Sequence, residues 1–279
     1  MKAAVIGLGV EGKKAVNSLL KHGWDVYASD LNSNIDLSDL SLPGISLNFL
    51  EGGETFSIVS DTLTLDLGFT NSQAIDECDA IAISPSMYGG SFATKLLSEG
   101  NLLSDVVSNH KKIFSIGITG TNGKTTTVHM LKSILENAGY KVGLIGTIET
   151  IIGDKHIPAN NTTPESYIVQ EYFAEMLKAG CQICVMEVSS QGLMMHRTAG
   201  IPFELGIFTN LAPDHIGPNE HASFEEYAQC KGMLFKQCKV GIANADDENF
   251  EMVMKDHTCT LETIGFSEKA DLRPSETLC

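Results

Sequence analysis

One stretch of the sequence combines the residue types that bind a phosphate chain. An apolar, β-rich run from Ile113 ends among glycines, and the segment Gly120-Thr-Asn-Gly-Lys-Thr125 then opens a helical pattern from Val128 to Asn137. Glycines let backbone N–H groups approach phosphate oxygens closely at a helix N-terminus, and a lysine reaches the terminal phosphates. We therefore predict a phosphate-binding loop in which Lys124 contacts phosphate and the Thr125 hydroxyl binds Mg²⁺.

The glycine spacing departs from the general template for such loops. Gly117 and Gly123 have five residues between them where the template has four, so the working signature is the shorter segment that starts at Gly120. A plain strand-to-helix turn would explain the glycines, but not the Thr-Asn pair between them or the Lys-Thr-Thr run that follows. We favour phosphate binding and expect the ATP-binding residues to be Gly120, Thr121, Asn122, Gly123, Lys124, Thr125 and Thr126.

Two strand-end residues could complete a magnesium site with Thr125. Glu187 ends one apolar run and His215 follows another, and both are predicted to lie beside the phosphate loop. Each also has a simpler explanation when taken alone. Glu187 could be an exposed strand end, and His215 a structural histidine, because imidazole is not the ligand that Mg²⁺ prefers. Lys231, on a nearby helix, would ordinarily be a solvated charge.

The elements around these residues read as an open α/β unit. Strands are predicted at Lys141–Ile148, Cys181–Val188, Phe203–Thr209 and Val240–Asn244, with a helix that ends at Lys178. Polar residues stand at the ends of at least four consecutive strands, on the edge that carries the phosphate loop. Open α/β sheets bind their ligands at that edge.

The first part of the sequence resembles a dinucleotide-binding unit. A buried strand at residues 3–6 leads into Gly7-Leu-Gly-Val-Glu-Gly12 and a helix, and a second strand, Trp24–Asp30, ends in an acid near the ribose-binding offset. Taken alone this pattern indicates NAD, but any nucleotide diphosphate would suit the same geometry. Further predicted elements are strand-like pieces at Ser46–Leu50 and Thr62–Leu67, a strand at Ala80–Ser86 and a short helix at Phe92–Ser98.

Composition limits the classes of protein that the sequence can encode. Its 279 residues suit one large or two ordinary domains, and the polar stretch at 108–112 suggests domains at 1–110 and 111–279. A net charge of −16 argues against a duplex nucleic-acid or anionic-membrane surface. Seven irregularly spaced cysteines, with Cys181 and Cys184 as buried strand residues, favour a reducing compartment. We expect a soluble, cytoplasmic protein.

Six ordered blocks in the second unit resemble the central ATPase domain of the Mur ligases. The blocks are Gly120-Thr-Asn-Gly-Lys-Thr-Thr126, Thr162-Thr-Pro-Glu165, Met186-Glu-Val-Ser-Ser190, Thr209-Asn-Leu-Ala-Pro-Asp-His215, Glu226-Tyr-Ala-Gln-Cys-Lys231 and Asn244-Ala-Asp-Asp247. They are most similar to the branch that adds the third residue of the peptide, whereas residues 1–110 look more like the Rossmann-type UDP-binding domain of the D-glutamate-adding branch. The resemblance implies a Rossmann-like N-terminal domain followed by a P-loop-type α/β ATPase domain.

The resemblance also implies an activity. Mur ligases are cytoplasmic ATP-dependent enzymes that add amino acids to UDP-N-acetylmuramoyl peptides in peptidoglycan synthesis. The implied mechanism transfers a phosphoryl group from ATP to a substrate carboxylate, and an amine then attacks the acyl phosphate to form an amide. The implied cofactors are ATP and Mg²⁺, and the implied partners are a UDP-N-acetylmuramoyl peptide and an amino acid.

Each matching position takes a role from the resemblance. Lys124 would contact the terminal phosphates, Thr125 and Glu187 would hold one Mg²⁺, and His215 the second. Lys231 would match a lysine that CO₂ carbamylates into an anionic oxygen ligand, and Asn244 would contact adenine. Contacts to the UDP-muramoyl substrate would come from Thr162, Thr163, Ser189 and Arg197, and from Val10, Glu11, Asp30 and Ser84.

Two departures from the family pattern leave alternatives open. Glu11 stands where a small hydroxyl residue is usual, and the family has a third, C-terminal ligase domain that is absent from this sequence, which ends at Cys279. We therefore expect a truncated chain that does not complete ligation alone. The alternatives are a non-catalytic nucleotide-binding homologue, a folylpolyglutamate-synthetase-like ligase that shares the ATPase core, and an NAD-dependent oxidoreductase built on the first domain.

Overall fold

The structure is a computed structural model that describes residues 1–40, 56–83, 113–214, 216–217 and 220–274. The chain divides into two compact units, Met1–Val107 and Ser108–Cys279. Four sequence-based expectations fall outside the described residues. They are the strand-like piece Ser46–Leu50, the helix Phe92–Ser98, and the site residues Ser84 and His215.

The first unit contains a five-stranded, mainly parallel sheet in the order β3-β4-β2-β1-β5. Its strands are β1 Lys2–Ile6, β2 Asp25–Asp30, β3 Phe56–Val59, β4 Leu63–Leu67 and β5 Ala80–Ile83. Its described helices are α1 Val10–Lys21 and α2 Ser72–Asp76. Only β3, which pairs with β4, is antiparallel. With β1 between β2 and β5, the parallel strands follow the Rossmann order. The sequence did not predict β3 or α2.

The glycine turn between β1 and α1 lets the helix pack tightly on the strand. A Cβ on Gly12 would lie 1.9 Å from the carbonyl oxygen of Gly7, so no other residue fits at that position without a shift. Gly7 itself has a φ of +90°. The Leu8 N–H donates to Asp30 Oδ2 at 2.6 Å, which fastens the turn to the end of β2. This is the close strand-to-helix packing that the glycine pattern predicted.

The second unit contains an eight-stranded sheet in the order β13-β12-β11-β6-β10-β7-β8-β9. Its strands are β6 Phe114–Thr119, β7 Val142–Ile145, β8 Glu149–Ile152, β9 Lys155–Pro158, β10 Ile183–Glu187, β11 Phe203–Phe208, β12 Cys238–Asn244 and β13 Thr260–Ile264. The six strands from β13 to β7 are parallel, and β8 and β9 extend the sheet as an antiparallel hairpin. The carboxyl ends of β6, β10 and β11 therefore lie side by side.

Helices cover both faces of this sheet. They are α3 Lys124–Asn137, α4 Ser166–Lys178, α5 Ser190–Met194, α6 Phe224–Gly232 and α7 Phe250–Met254, with a 3₁₀ helix at Met233–Lys236. On one face, α3 packs through Val128 against buried strand residues such as Ile118 and Leu144. A larger core on the other face includes Phe173 of α4 and Phe235 of the 3₁₀ helix. This layering holds the strand ends rigidly at one edge.

Several boundaries differ from the sequence-based expectation, most of them by one or two residues and three of them by more. The single strand expected at Lys141–Ile148 ends at Ile145, because Gly146 N–H donates to the carbonyl of Glu149 and turns the chain into the β8–β9 hairpin. The helix after the phosphate loop begins at Lys124, one turn before the apolar pattern at Val128. The sequence places the helix that carries Lys231 after the segment His221–Tyr227, whereas it begins at Phe224, after Ser223, whose hydroxyl accepts the Glu226 N–H.

Two other sequence-based expectations concern cysteines and membrane segments. Cys181 and Cys184 are 5% and 0% exposed, so their assignment as buried cysteines is confirmed. Cys184 lies in β10, but Cys181 precedes that strand, so the expectation of a strand residue at Cys181 is wrong. Among the described residues, no helix combines the length and the apolar character that crossing a bilayer requires.

Candidate functional site

The phosphate loop, Gly120–Thr125, connects β6 to α3 and has the backbone shape that its glycines allow. Gly123 caps α3 in the left-handed region, with a φ of +83° and open space where a Cβ would be. Gly120 has a φ of +151°, and its Cβ would lie 2.0 Å from Thr209 Oγ1. The first glycine is therefore needed for packing against β11, and the second leaves room above the helix N-terminus. Thr126 lies exposed in the first turn.

The end of β11 holds this loop in place. Asn122 N–H donates to Asn210 Oδ1 at 2.9 Å, and the Asn210 amide donates back to the Asn122 carbonyl at 3.0 Å. Thr121 N–H donates to the Asn210 carbonyl at 2.9 Å. Thr209 Oγ1 adds a bond of 2.8 Å to the Asn122 carbonyl. The loop is thus shaped by the protein itself, which limits the entropy lost when a ligand binds.

Two lysines converge on one carbonyl of the loop. Lys124 Nζ donates to the carbonyls of Gly120 and Thr121 at 2.8 and 3.0 Å, and Lys231 Nζ donates to that of Gly120 at 3.0 Å. Lys231 is only 1% exposed, so the alternative that it is a solvated charge is wrong. Burial, reinforced by the nearby Lys124 ammonium, lowers the pKa of Lys231 to about 7. Burial also lowers the pKa of Lys124, and the nearby carboxylates of Glu187 and Asp214 act in the opposite direction.

Glu187 ends β10 as a buried carboxylate and faces the loop. It is 1% exposed, so the alternative of an exposed strand end is wrong. Its Oε2 accepts the hydroxyls of Thr125 and Thr147, each at 3.0 Å, and its Oε1 accepts Thr147 N–H at 2.9 Å. A Cβ on Gly146 would lie 2.7 Å from Oε1, so this glycine keeps the space for the carboxylate.

The oxygens of Thr125 and Glu187 fit a magnesium ion. Mg²⁺ takes hard oxygen ligands, and it is usually held by one or two carboxylates together with substrate phosphates and water. Hydroxyl and carboxylate oxygens already in contact beside a phosphate loop are such a set. Within the described ranges, no group of three or more His, Cys, Asp or Glu side chains comes together as a metal site.

Three predicted substrate residues, Thr163, Ser189 and Arg197, are joined to one another by hydrogen bonds beside Glu187. Ser189 N–H donates to Thr163 Oγ1 at 2.9 Å, and that hydroxyl donates to the Glu187 carbonyl at 3.1 Å. Arg197 donates to the Thr163 carbonyl at 3.0 Å and pairs with Glu165 at 2.8 Å. Thr162 Oγ1 lies 3.0 Å from Thr147 Oγ1. The loops after β9 and β10 are therefore locked together.

A cavity of about 300 Å³ connects the two groups of residues. Six residues predicted from the sequence line it: Lys124, Thr162, Thr163, Ser189, Arg197 and Lys231. Its wall also contains His221 and Tyr227, whose rings lie 5.1 Å apart. Most residues that line the cavity are polar, and they include three cations and one carboxylate, Glu220, so the cavity suits an anionic, hydrogen-bonding ligand better than an apolar one.

Among the described residues of the second unit, the other predicted site residues do not line this cavity. Asn244, at the end of β12, donates from Nδ2 to the Thr209 carbonyl at 2.9 Å and accepts Asp246 N–H at 3.0 Å, so its amide joins two strand ends. In the first unit, Val10 and Glu11 open α1. Asp30 accepts the N–H groups of Leu8 and Asn32.

Four residues of the site were not singled out from the sequence: Thr147, Asn210, His221 and Tyr227. For Asn210, the position directly after a predicted strand is a signal that could have indicated its contact with the phosphate loop. For Tyr227, the Ser223-Phe-Glu-Glu226 capping box would have started the helix early enough to put Tyr227 and Lys231 one turn apart. We find no signal for Thr147, because the strand was expected to continue through it.

Comparisons with known proteins show the family to which the second unit is similar. A family profile described as the Mur ligase middle domain matches residues 118–278. A UDP-N-acetylmuramoyl-L-alanyl-D-glutamate–2,6-diaminopimelate ligase of Clostridium acetobutylicum is 52% identical over 162 residues, which are 58% of this chain and 33% of that protein. The ligase of the same name from Clostridium tetani is 41% identical over 212 residues, 76% of this chain and 41% of that protein.

A solved structure gives the same answer for the fold. The structure of a UDP-N-acetylmuramoyl-L-alanyl-D-glutamate–2,6-diaminopimelate ligase aligns with 98% of this chain and 47% of its own, with a TM-score of 0.57 and 19% identity. At that identity the likeness concerns the fold alone. The chain spans 33 and 41% of the length of the two clostridial relatives. Because the matched middle domain covers more than half of the sequence, the chain belongs to the Mur ligase family.

Proposed function

We propose that this chain is the nucleotide-binding part of an ATP-dependent ligase that joins an amino acid to a UDP-N-acetylmuramoyl peptide. The observation that carries the proposal is the convergence of Lys124, Lys231 and the phosphate loop on one polar cavity. The names of the relatives suggest the reactants, UDP-N-acetylmuramoyl-L-alanyl-D-glutamate and 2,6-diaminopimelate. The reaction serves peptidoglycan synthesis.

ATP binds with its phosphates at the N-terminus of α3 in this proposal. The backbone N–H groups from Gly123 onward and the helix dipole attract the phosphates. Lys124 leaves its two loop carbonyls and turns to the terminal phosphates. Asn244, at the neighbouring strand end, contacts adenine. The overall charge of −16 makes this local concentration of cations necessary for anion binding.

Thr125 and Glu187 hold one Mg²⁺ in this proposal, and His215 serves a second. A Mg²⁺ ion held there would supply charge neutralisation at the terminal phosphoryl group. Lys231 is proposed to add CO₂: its neutral amine attacks the carbon, a proton leaves, and an anionic carbamate results. A pKa of about 7 leaves a large share of the amine neutral near neutral pH, which supports this step.

The substrate carboxylate approaches the phosphate loop through the cavity. Thr162, Thr163, Ser189 and Arg197 orient the UDP-muramoyl peptide there. The carboxylate attacks the terminal phosphorus of ATP, and ADP leaves. The amine of the amino acid then attacks the acyl phosphate, and inorganic phosphate leaves as the amide forms. Lys124 stabilises the negative charge that develops in both steps.

The first unit is proposed to bind the UDP part of the substrate. Its Rossmann strand order and the close turn at Gly12 support a diphosphate over the N-terminus of α1. Val10, Glu11, Asp30 and Ser84 are the residues proposed to contact it. A cytoplasmic location is part of the same proposal. It is supported by six unbonded cysteines among the described residues, five of them buried.

A thermal-shift panel tests the proposal with ATP·Mg²⁺, UDP-N-acetylmuramoyl-L-alanyl-D-glutamate and NAD⁺ as separate ligands. A ligand at about one hundred times its dissociation constant adds about 2.7 kcal/mol, which raises the midpoint by a few degrees. We expect stabilisation by the first two ligands and none by NAD⁺. Stabilisation by NAD⁺ alone would indicate an oxidoreductase, and ATP binding without the UDP-peptide would favour a nucleotide-binding homologue.

A further inference from the structure

Tyr227 contacts both Lys231 and the phosphate loop, and the proposed function gives it no role. It lies on α6 one turn before Lys231, so both side chains leave the same face of the helix. Each is 1% exposed. Lys231 Nζ lies 4.3 Å from the centre of the Tyr227 ring, within the range of a cation–π contact. Tyr227 therefore supplies one wall of the space that holds Nζ.

The hydroxyl of Tyr227 reaches the phosphate loop. It lies 3.2 Å from Thr121 Oγ1, and that same hydroxyl of Thr121 accepts Ala212 N–H at 3.0 Å. One side chain thus contacts both the loop and the lysine whose ammonium donates to Gly120 at 3.0 Å. A rigid two-point contact of this kind limits where Nζ can go.

The ring of Tyr227 is itself held from another direction. The ring of His221 packs against it at a tilt of 47°, and His221 Nε2 lies 2.9 Å from Ser190 Oγ. His221 is 2% exposed. Ser190 begins α5 beside the predicted substrate contact Ser189. The rings therefore connect the phosphate side of the cavity to its substrate side.

From these contacts we propose that Tyr227 is a positioning residue that holds Lys231 Nζ against the phosphate loop. This deepens the proposed function, since Lys231 must stand at the loop to serve there. The ring face does the positioning, and the hydroxyl fixes the ring relative to Thr121. Tyr227→Phe keeps the ring contact with Lys231 and loses the hydroxyl contact with Thr121. Tyr227→Leu loses both contacts.

Lysine acylation tests the positioning without any ligand. The full chain is treated with acetic anhydride, and mass spectrometry follows the rate at each lysine. We expect Lys231 to be acylated slowly in wild type and about tenfold faster in Tyr227→Leu. In Tyr227→Phe the acylation rate at Lys231 should stay within about threefold of the wild-type rate. Tyr172→Leu is the matched control, because Tyr172 packs against the same core and its hydroxyl bonds to Thr150. It should leave the rate at Lys231 unchanged.

A second measurement separates this proposal from the proposed function. ¹³C NMR with ¹³C-bicarbonate detects a lysine carbamate, which we expect in wild type and in Tyr227→Phe but reduced in a folded Tyr227→Leu. Equal acylation of Lys231 in wild type and Tyr227→Leu would overturn the positioning role. Faster acylation in Tyr227→Leu, with no carbamate and no ATP binding in wild type, would keep the positioning role and reject the proposed function.

Discussion

Lys124 and Lys231 donate hydrogen bonds to the same acceptor, the carbonyl oxygen of Gly120, at 2.8 and 3.0 Å. The two amines share one neutral acceptor, and the Lys124 ammonium disfavours the charge of the buried Lys231. An arriving phosphate chain relieves that repulsion. Conversion of Lys231 into an anionic carbamate would relieve the same repulsion. The site is therefore arranged to gain stability when negative charge enters it.

The buried amine of Lys231 should make stability depend on pH. Its pKa falls from 10.5 to about 7 in the folded chain. Between these values the unfolded chain holds a proton that the folded chain has released, so the free energy of unfolding rises with pH. Below about pH 7 both states are protonated, and the folded state carries the full cost of the buried charge.

Lys231→Met removes this titration and isolates its effect. We expect the unfolding free energy of wild type minus that of the variant to increase from about pH 7 to about pH 10, by a few kcal/mol at most. Urea unfolding at a series of pH values, followed by circular dichroism, measures the difference. Lys236→Met, at an exposed lysine of the 3₁₀ helix, should give a difference that does not vary with pH. A flat profile for Lys231→Met would mean that the amine is not buried as described.

Glu187→Gln should uncouple nucleotide binding from magnesium. The amide keeps the volume of the carboxylate but loses the charge that attracts the ion. In wild type, we expect EDTA to weaken ATP binding about tenfold or more; in the variant, EDTA should have little effect. Glu175→Gln is the control, because Glu175 lies on α4 and its carboxylate pairs with Lys155 of β9, and it should behave as wild type. An EDTA response in Glu187→Gln equal to that of wild type would show that this carboxylate does not hold the ion.

An added methyl group should lower the free energy of unfolding by different amounts at the two glycines of the phosphate loop. At Gly120 the new Cβ would meet Thr209 Oγ1 at 2.0 Å, whereas at Gly123 it would meet nothing within 4 Å. Gly123→Ala then costs only the left-handed backbone, about 1–2 kcal/mol. Gly120→Ala should cost more, because the loop must also move away from β11. Urea unfolding ranks the two variants, and equal losses would contradict the difference in packing.

A matched pair of variants tests the turn in the first unit. Gly12→Ala would bring a Cβ to 1.9 Å from the Gly7 carbonyl, while Gly9 has open space around its Cβ position. We expect Gly12→Ala to destabilise the first unit by about 2 kcal/mol or more, and Gly9→Ala to change stability little. Trp24, the only tryptophan of the chain, reports unfolding of this unit by fluorescence. Similar midpoints for both variants would mean that α1 does not pack closely on β1.

Sequence alone predicted the parts of the site that depend on local geometry. A strand followed by Gly120, Gly123 and Lys124 predicts a glycine turn into a helix, which the structure has at this place, and the glycines at 7 and 12 predict a second such turn. Glu187 could also be placed, because an acid at the end of a buried strand must face the ligand edge of the sheet.

Contacts between distant segments could not be predicted in the same way. Lys231 reads as a solvated charge in its own helix, and only the packing of α6 over the loop buries it. Thr147 and Asn210 act through partners 40 and 88 residues away in the chain. The turn at Gly146 was missed because an apolar run continues across it. In each case tertiary structure, not local propensity, decides the role.

Calorimetric titration of ATP·Mg²⁺ into the chain tests the central claim, that the phosphate loop of this Mur ligase family member binds ATP through Lys124. Lys132→Met is the matched control, since Lys132 lies on the same helix and pairs with Glu136. We expect wild type and Lys132→Met to bind equally, and Lys124→Met to bind about tenfold more weakly or not at all. Absence of binding to wild type, or equal binding to Lys124→Met, would contradict the account.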